Sequence, residues 1–385
     1  MKRFSRSSLT TMAVCLLFIP ALLKAQPRPA HRKKVGVVLS GGGAKGMAHI
    51  GVLKVIEKAG IPIDYVVGTS MGSIIGGLYS IGYSPEQLDS MVRRQDWTFL
   101  LSDKIPRSEQ NLSERDASQK YVFSIPFGKG VKAEVFGGLI RGQNLANLFS
   151  ELTIGYHDSI NFNKLPIPFA CVSENIVNGN EVNFHEGVLA TAMRASMAIP
   201  GVFTPVRLDS MVLVDGGVVN NYPVNVARAM GADLIIGVDV QSELKPAGEL
   251  NSAGAILGQL VNLMGQDLYK KNLKETTTYI KVNVEGYSAA SFTPSAIDTL
   301  IMRGEEAAMA QDSALMALKS QLGLDSTYMP QPIPSYPYSP ERKVYVKEIT
   351  FDGLDEKDKK WLLKRCDLKE NSEISIRRIE EATAI

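Results

Sequence analysis

Several functions are excluded by what this sequence has too little of. It carries three cysteines in 385 residues, far too few for a disulfide-built scaffold. Cys15 lies in an N-terminal stretch expected to be removed, which leaves Cys171 and Cys366 far apart in sequence. There are four histidines, His31, His49, His157 and His185, and they form no cluster with Cys, Asp or Glu at metal-ligand spacing. Neither a metal nor any other cofactor is expected. Net charge is also scarce: 42 Lys+Arg against 40 Asp+Glu gives +2, so there is no basic field to suggest a nucleic-acid partner. Long hydrophobic runs are missing as well. The uncharged N-terminal stretch, Ser7 to Leu23, contains Pro20 and is marginal against the ~20 residues of a membrane-spanning helix.

What remains is ordinary globular material, 45% hydrophobic and 21% charged, enough for a large core. At about 150 residues per domain, two or three units fit, as does one large α/β domain with a small appendage. Lys2, Arg3 and Arg6 precede the apolar stretch Ala13–Ile19, and Pro20 and Ala25 follow. This is the pattern of a secretory signal peptide over residues 1–25, although Leu23 stands where a small residue is preferred. Export is therefore expected.

Apolar strand-like runs alternate with helical patterns. Val35–Ser40 stops at three glycines, and Met47–Ala59 follows with helical spacing, ending at Gly60. Tyr65–Val67 reads as the next strand and Gly72–Ile81 as the next helix. Ser84, Pro85 and Gln87 carry a helix start with a capping box. Later strands are expected at Phe169–Ser173, Met211–Val214, Leu234–Val240 and Thr278–Val284, and helical stretches at Ala253–Glu275 and Pro294–Leu322. The alternation predicts an α/β fold, a mostly parallel sheet with helices on both faces. Five prolines between Met329 and Pro340 predict an extended linker over 329–342. Beyond it, Val344–Phe351 reads as a strand turning at Asp352-Gly353, with helices at Glu356–Arg365 and Ser375–Ala382. A lone strand has no sheet partner, so residues 343–385 read as part of a small α+β module that stops short.

Three places could carry chemistry. Gly41-Gly42-Gly43-Ala44-Lys45-Gly46 joins a strand to a helix, a loop whose N–H groups would face an anion, either a phosphate or an oxyanion. It contains G-x-G-x-x-G, with Asp64 as a candidate acidic partner, so dinucleotide binding must be weighed. Gly68-Thr69-Ser70-Met71-Gly72 is G-x-S-x-G between a strand and a helix, the context of a nucleophile elbow. Asp215-Gly216-Gly217 puts a carboxylate at the end of a strand; taken alone it reads as a turn. All four histidines precede Asp215, so a triad in the order Ser, Asp, His has no third member there. If Ser70 is a nucleophile, its candidate base is Asp215 itself. His49 is expected to be structural and His185 to lie at the surface or behind the site. A nucleotide-dependent oxidoreductase would leave Ser70 and Asp215 unexplained.

The three motifs, in this order, resemble the signatures of patatin-like phospholipases, and Ala195-Ser196-Met197-Ala198-Ile199-Pro200-Gly201-Val202-Phe203 resembles the segment upstream of that family's aspartate. The match has its core at 35–240 within a hydrolase domain expected over 31–328. The resemblance implies a Ser-Asp dyad that hydrolyses acyl esters of lipids without a metal. By position Ser70 becomes the nucleophile and Asp215 the base. Gly41, Gly42, Gly43 and Lys45 form the oxyanion loop, and Gly46, Gly68, Gly72, Gly216 and Gly217 are motif glycines. Residues 343–385 resemble the start of a POTRA domain, the periplasmic module that precedes outer-membrane barrels. That implies a Gram-negative cell envelope, a phospholipid or other acyl-lipid substrate at a membrane surface, and a barrel elsewhere in a longer chain. The expected activity is that of a phospholipase A or lysophospholipase. Alternatives are an esterase or thioesterase on other acyl substrates, or a non-catalytic POTRA-bearing interaction protein. The aromatics between Trp97 and Phe136, with Gly137–Ile140, could line an acyl cleft, touch a membrane or simply be core.

Overall fold

The computed structural model describes residues 32–104, 138–251, 253–333, 341–351 and 355–383. The expected signal peptide, His31, Tyr121, Phe123, Phe127, Phe136, Gly137, residues 334–340 of the proline-rich linker and the Asp352-Gly353 turn lie outside the described residues. The apolar runs form the centre of an eight-stranded sheet. Its strands are β1 (Val35–Leu39), β2 (Tyr65–Thr69), β3 (Phe169–Asn175), β4 (Asn180–Phe184), β5 (Val206–Leu208), β6 (Met211–Asp215), β7 (Leu234–Asp239) and β8 (Thr278–Lys281). β8, β7, β1, β2 and β3 run parallel in that spatial order. Side chains alternate across a strand, and here both faces are covered. Val37, Leu39, Val66, Phe169 and Ile236 enter one core, while Val38, Val67, Ala170 and Ile235 enter another on the opposite face. Burial on both faces is why these strands read as continuous apolar runs rather than as alternating ones.

The helices that position the site are α1 (Ala48–Lys58), α2 (Met71–Ser80), α3 (Pro85–Arg94), α4 (Gln143–Leu152) and α5 (Leu189–Ser196). The capping box at Ser84 and Gln87 is formed. The Ala253–Glu275 stretch is two helices, α6 (Ala253–Met264) and α7 (Gln266–Lys274), with Gly265 between them. The next stretch likewise splits into α8 (Pro294–Met309) and α9 (Asp312–Gln321).

The sheet departs from the expected pattern at β6, which is antiparallel to β3. Along β3, residues 171 and 172 pair with both β2 and β4, whereas 173–175 pair with both β4 and β6. A strand residue has only two lateral sides. β2 and β6 therefore share one edge of β3 and meet end to end. Thr69 lies opposite Val172, and Asp215 lies opposite Ser173, the next residue.

After the linker the expected lone strand has a partner. β9 (Lys343–Val346) pairs antiparallel with β10 (Ser372–Ser375). α10 (Glu356–Arg365) lies between them in sequence, and α11 (Ile376–Thr383) follows. This corrects the reading of Val344–Phe351 as one long unpaired strand. Ser372-Glu373-Ile374-Ser375 has one fully buried side chain, too little alternation to announce a strand in sequence.

Candidate active site

The end-to-end meeting of β2 and β6 brings two motifs together. Ser70 Oγ donates a 2.6 Å hydrogen bond to Asp215 Oδ2. Ser70 is 5% exposed and Asp215 6%, so the pair sits in a largely dry environment. Asp215 Oδ1 accepts from the Gly217 N–H at 2.7 Å. Burial pushes the Asp215 carboxyl up to about 6, against the pull of its bonds from Ser70 and Gly217, which favour the charged form.

The sharp turn at Ser70 is a property of its glycine neighbours. Ser70 has φ 53° and ψ −123°, a left-handed backbone that costs a non-glycine residue about 1–3 kcal/mol and is tolerated where surrounding structure imposes it. A Cβ on Gly68 would fall 2.3 Å from the Gly72 carbonyl oxygen, and one on Gly72 would fall 2.2 Å from that of Leu39. Only hydrogen at both positions lets β2, the turn and α2 approach this closely. The Ser70 carbonyl accepts from Ser73 Oγ at 2.6 Å, and its N–H donates to Ser196 Oγ at 3.0 Å.

The glycine loop lies beside Ser70. Gly42 and Gly43 have N–H groups that meet no acceptor among the described residues, and Gly43 lines the same cavity as Ser70. Gly41 departs from expectation: its N–H donates to the Asn221 carbonyl at 3.2 Å, which removes it from the set of free oxyanion donors. The Lys45 ammonium ends on Ser242 Oγ at 2.8 Å, and Lys45 is not among the cavity-lining residues. It ties the loop to the chain beyond β7 rather than offering its charge to the cavity. Burial, with Lys281 as a like charge, lowers it to about 8. Gly46 and Gly216 are packing glycines, with a Cβ on either falling within 2.4 Å of Met71 Cγ or 2.3 Å of the Val172 oxygen, respectively. His49 is fully buried, with Nε2 on the Ser40 carbonyl at 2.8 Å, and burial lowers it to about 4. It is a neutral core histidine behind the loop. His185 is partly buried and makes no contact with Ser70 or Asp215.

Ser70 opens onto an apolar cavity of about 330 Å³. Trp97 and Ile140 line it, as do Leu145, Leu148, Phe149 and Leu152 of α4. Trp97 stacks on Phe292 with centroids 4.9 Å apart. Two contributors lay inside motifs read from the sequence but were given no role there. Met71 presents the first amide of α2 with no acceptor among the described residues, as a second kind of oxyanion donor would. Ser196 Oγ accepts the Ser70 N–H.

Residues 37–228 match the family model described as patatin-like phospholipase. The chain is 31% identical over 221 residues to lysophospholipase NTE1 of Candida albicans, covering 56% of this chain and 14% of that protein. It is 29% identical over 230 residues to an uncharacterized NTE family protein of Mycobacterium bovis, covering 60% of this chain and 55% of that one. It thus spans about half the length of the mycobacterial relative and a small part of the fungal one. Among solved structures, VipD from Legionella pneumophila aligns with TM-score 0.39 and 16% identity over 74% of this chain and 67% of that chain.

Proposed function

From a patatin-like phospholipase domain at residues 37–228, we propose that this protein is a serine acyl-lipid hydrolase of the phospholipase A or lysophospholipase type. The observation that carries the reading is the 2.6 Å bond from Ser70 Oγ to Asp215 Oδ2 at the mouth of a cavity lined almost wholly by apolar side chains. An apolar cavity suits a fatty acyl chain, and the buried pair suits nucleophilic attack with a carboxylate base.

Asp215 takes the Ser70 proton as Oγ adds to the acyl carbonyl carbon. The oxyanion forms against the free amides of Gly42 and Gly43, with Met71 N–H as a further donor. Each such donor is worth about 3–4 kcal/mol in related chemistry. The tetrahedral intermediate collapses as the alcohol leaves with the proton from Asp215, and the acyl group stays on Ser70. Water then gives a proton to Asp215 and adds to the acyl carbon. Its collapse releases the fatty acid and returns the proton to Ser70 Oγ.

The test is mass spectrometry of the full chain and its Ser70→Ala variant after exposure to a fluorophosphonate ester, with fatty-acid release from mixed phospholipid micelles measured in parallel. One adduct on wild type, none on Ser70→Ala, and lipid hydrolysis only by wild type are expected. An adduct without release from phospholipid would move the substrate to other acyl esters or thioesters. No adduct on a folded sample would overturn the enzymatic reading.

We further propose that the protein is exported and acts at the cell envelope. The charged start, apolar stretch and Ala25 support export. The short β9–β10 sheet with its two helices is compatible with the first part of a POTRA module.

A further inference from the structure

The chain leaving α5 does more than connect two elements. Ser196, its last residue, is fully buried. Its hydroxyl donates to the Val172 carbonyl at 2.6 Å and accepts the Ser70 N–H at 3.0 Å. Two residues on, the Ala198 carbonyl accepts the Asp215 N–H at 2.9 Å. Met197 between them and Ile199 just after line the apolar cavity. One four-residue stretch thus holds the main chain of both members of the catalytic pair and alternates those contacts with the cavity wall.

The two backbone groups of Ser70 are held unequally. Its carbonyl accepts from the Ser73 N–H, the Ile74 N–H and Ser73 Oγ, so losing one leaves others. Its N–H has Ser196 Oγ as its one partner among the described residues. Because Ser70 sits at φ 53°, relaxation to an ordinary backbone is downhill unless something opposes it. The Ser196 hydroxyl opposes it, because turning the Ser70 peptide would leave a buried donor without a partner. The hydroxyl is itself fixed by its bond to Val172, the residue paired with Thr69.

We propose that Ser196 is a positioning residue: its hydroxyl clamps the Ser70 peptide in the strained turn and so keeps Oγ aimed at Asp215. The inference rests on the reading of Ser70 as nucleophile. Alanine removes the acceptor, whereas cysteine keeps a weak one of similar size.

The experiment measures, for the full chain, the second-order rate of fluorophosphonate labelling and the pH dependence of kcat and KM on a soluble acyl ester. Wild type is compared with Ser196→Ala, Ser196→Cys, Ser70→Ala and Ser80→Ala. Ser80 is another fully buried serine, and its hydroxyl has no partner among the described residues. Ser196→Ala is expected to lower labelling and kcat together by about 10- to 100-fold, the scale of one buried hydrogen bond. KM should not change, because the cavity wall is untouched. The acid limb of the pH profile should move upward, since Asp215 loses the Ser70 bond that favours its charged form. Ser196→Cys should fall between wild type and Ser196→Ala, and Ser80→Ala should match wild type. Wild-type labelling and kcat in folded Ser196→Ala would overturn the inference. So would a loss confined to KM, an unmoved acid limb, or a Ser196→Cys no better than Ser196→Ala. Should Ser196→Ala fail to fold, Ser196→Cys gives the same readouts. Labelling that persists in Ser70→Ala removes the nucleophile reading instead, whatever Ser196 does.

Discussion

Asp215 shows what a buried base costs and what it supplies. Burial pushes its carboxyl up to about 6, and in the proposed reaction only the charged form could take the Ser70 proton. The kcat/KM profile should therefore rise with pH to a plateau with a midpoint near 6, as pH-rate measurements on a soluble ester would show. The same shift bears on stability. Burial raises the folded-state value above the ordinary carboxylate value of 3.8, so the native state holds this proton more tightly than the unfolded chain does. Stability from this group is fully present below about 4 and is lost as pH rises through about 6. Asp215→Asn removes the charge without emptying the site. At pH 7 the variant should be inactive yet more stable than wild type, by up to about 3 kcal/mol; at pH 4 the gain should vanish. Denaturant unfolding at the two pH values reads this directly, and an equal difference at both would show that the charge is not its source.

At the scale of elements, the βα alternation was legible because strands buried on both faces must be continuously apolar, whereas helices such as α1 and α3 carry charged residues on one side. The turn at Ser70 was legible too, because its glycines answer a steric demand that acts over a few residues. Gly72→Ala should accordingly destabilise the fold by about 2–4 kcal/mol in thermal or denaturant unfolding, since its Cβ would press on the Leu39 backbone rather than on a side chain that could move. What could not be read was β6. Nothing within Met211–Asp215 says that it runs antiparallel and stops head-on against β2, because that register is fixed by pairing with β3, whose residues lie about forty positions away in sequence. The meeting of Ser70 with Asp215 depends on it. Helix α4 was also unreadable as part of the site. Its Leu145, Leu148, Phe149 and Leu152 follow helical spacing, which a buried core face would produce equally well, yet they line the cavity. Leu148→Trp should shorten that cavity. Long-chain esters should lose kcat/KM by about 10-fold or more relative to short-chain ones, the discrimination a hydrophobic pocket gives for about a methylene or two. A uniform loss across chain lengths would mean that the helix supports the site without measuring the substrate.

For the whole molecule, the question is where the unit that carries Ser70 and Asp215 ends. The composition places a boundary at the first prolines, near residue 328, but packing continues past it. Ile333 lies against the main core, and Met329, Pro330 and Pro332 form a second cavity with Glu57, Tyr79 and Tyr83. The anchor is Lys319 on α9, 2% exposed. Its ammonium donates to three carbonyls, Ala59 at 2.9 Å, Ser326 at 3.1 Å and Tyr328 at 2.9 Å. These acceptors come from the end of α1 and from the chain approaching the linker, so one cation closes a helix C-terminus and fastens the exit of the domain. A proline-rich composition reports the stiffness of a segment, not whether its first turns are docked. Lys319→Met keeps most of the buried stem and leaves three carbonyls without their donor. It should cost about 2–3 kcal/mol by denaturant unfolding, and it should open 326–333 to limited proteolysis while leaving the Ser70 labelling rate of the folded protein unchanged, because Lys319 is not among the residues that line the cavity onto which Ser70 opens. If cleavage near residue 330 were as slow in Lys319→Met as in wild type, the docking would be owed to the apolar contacts of Met329 and Ile333 alone, and the unit could be cut at 333 without regard to the lysine.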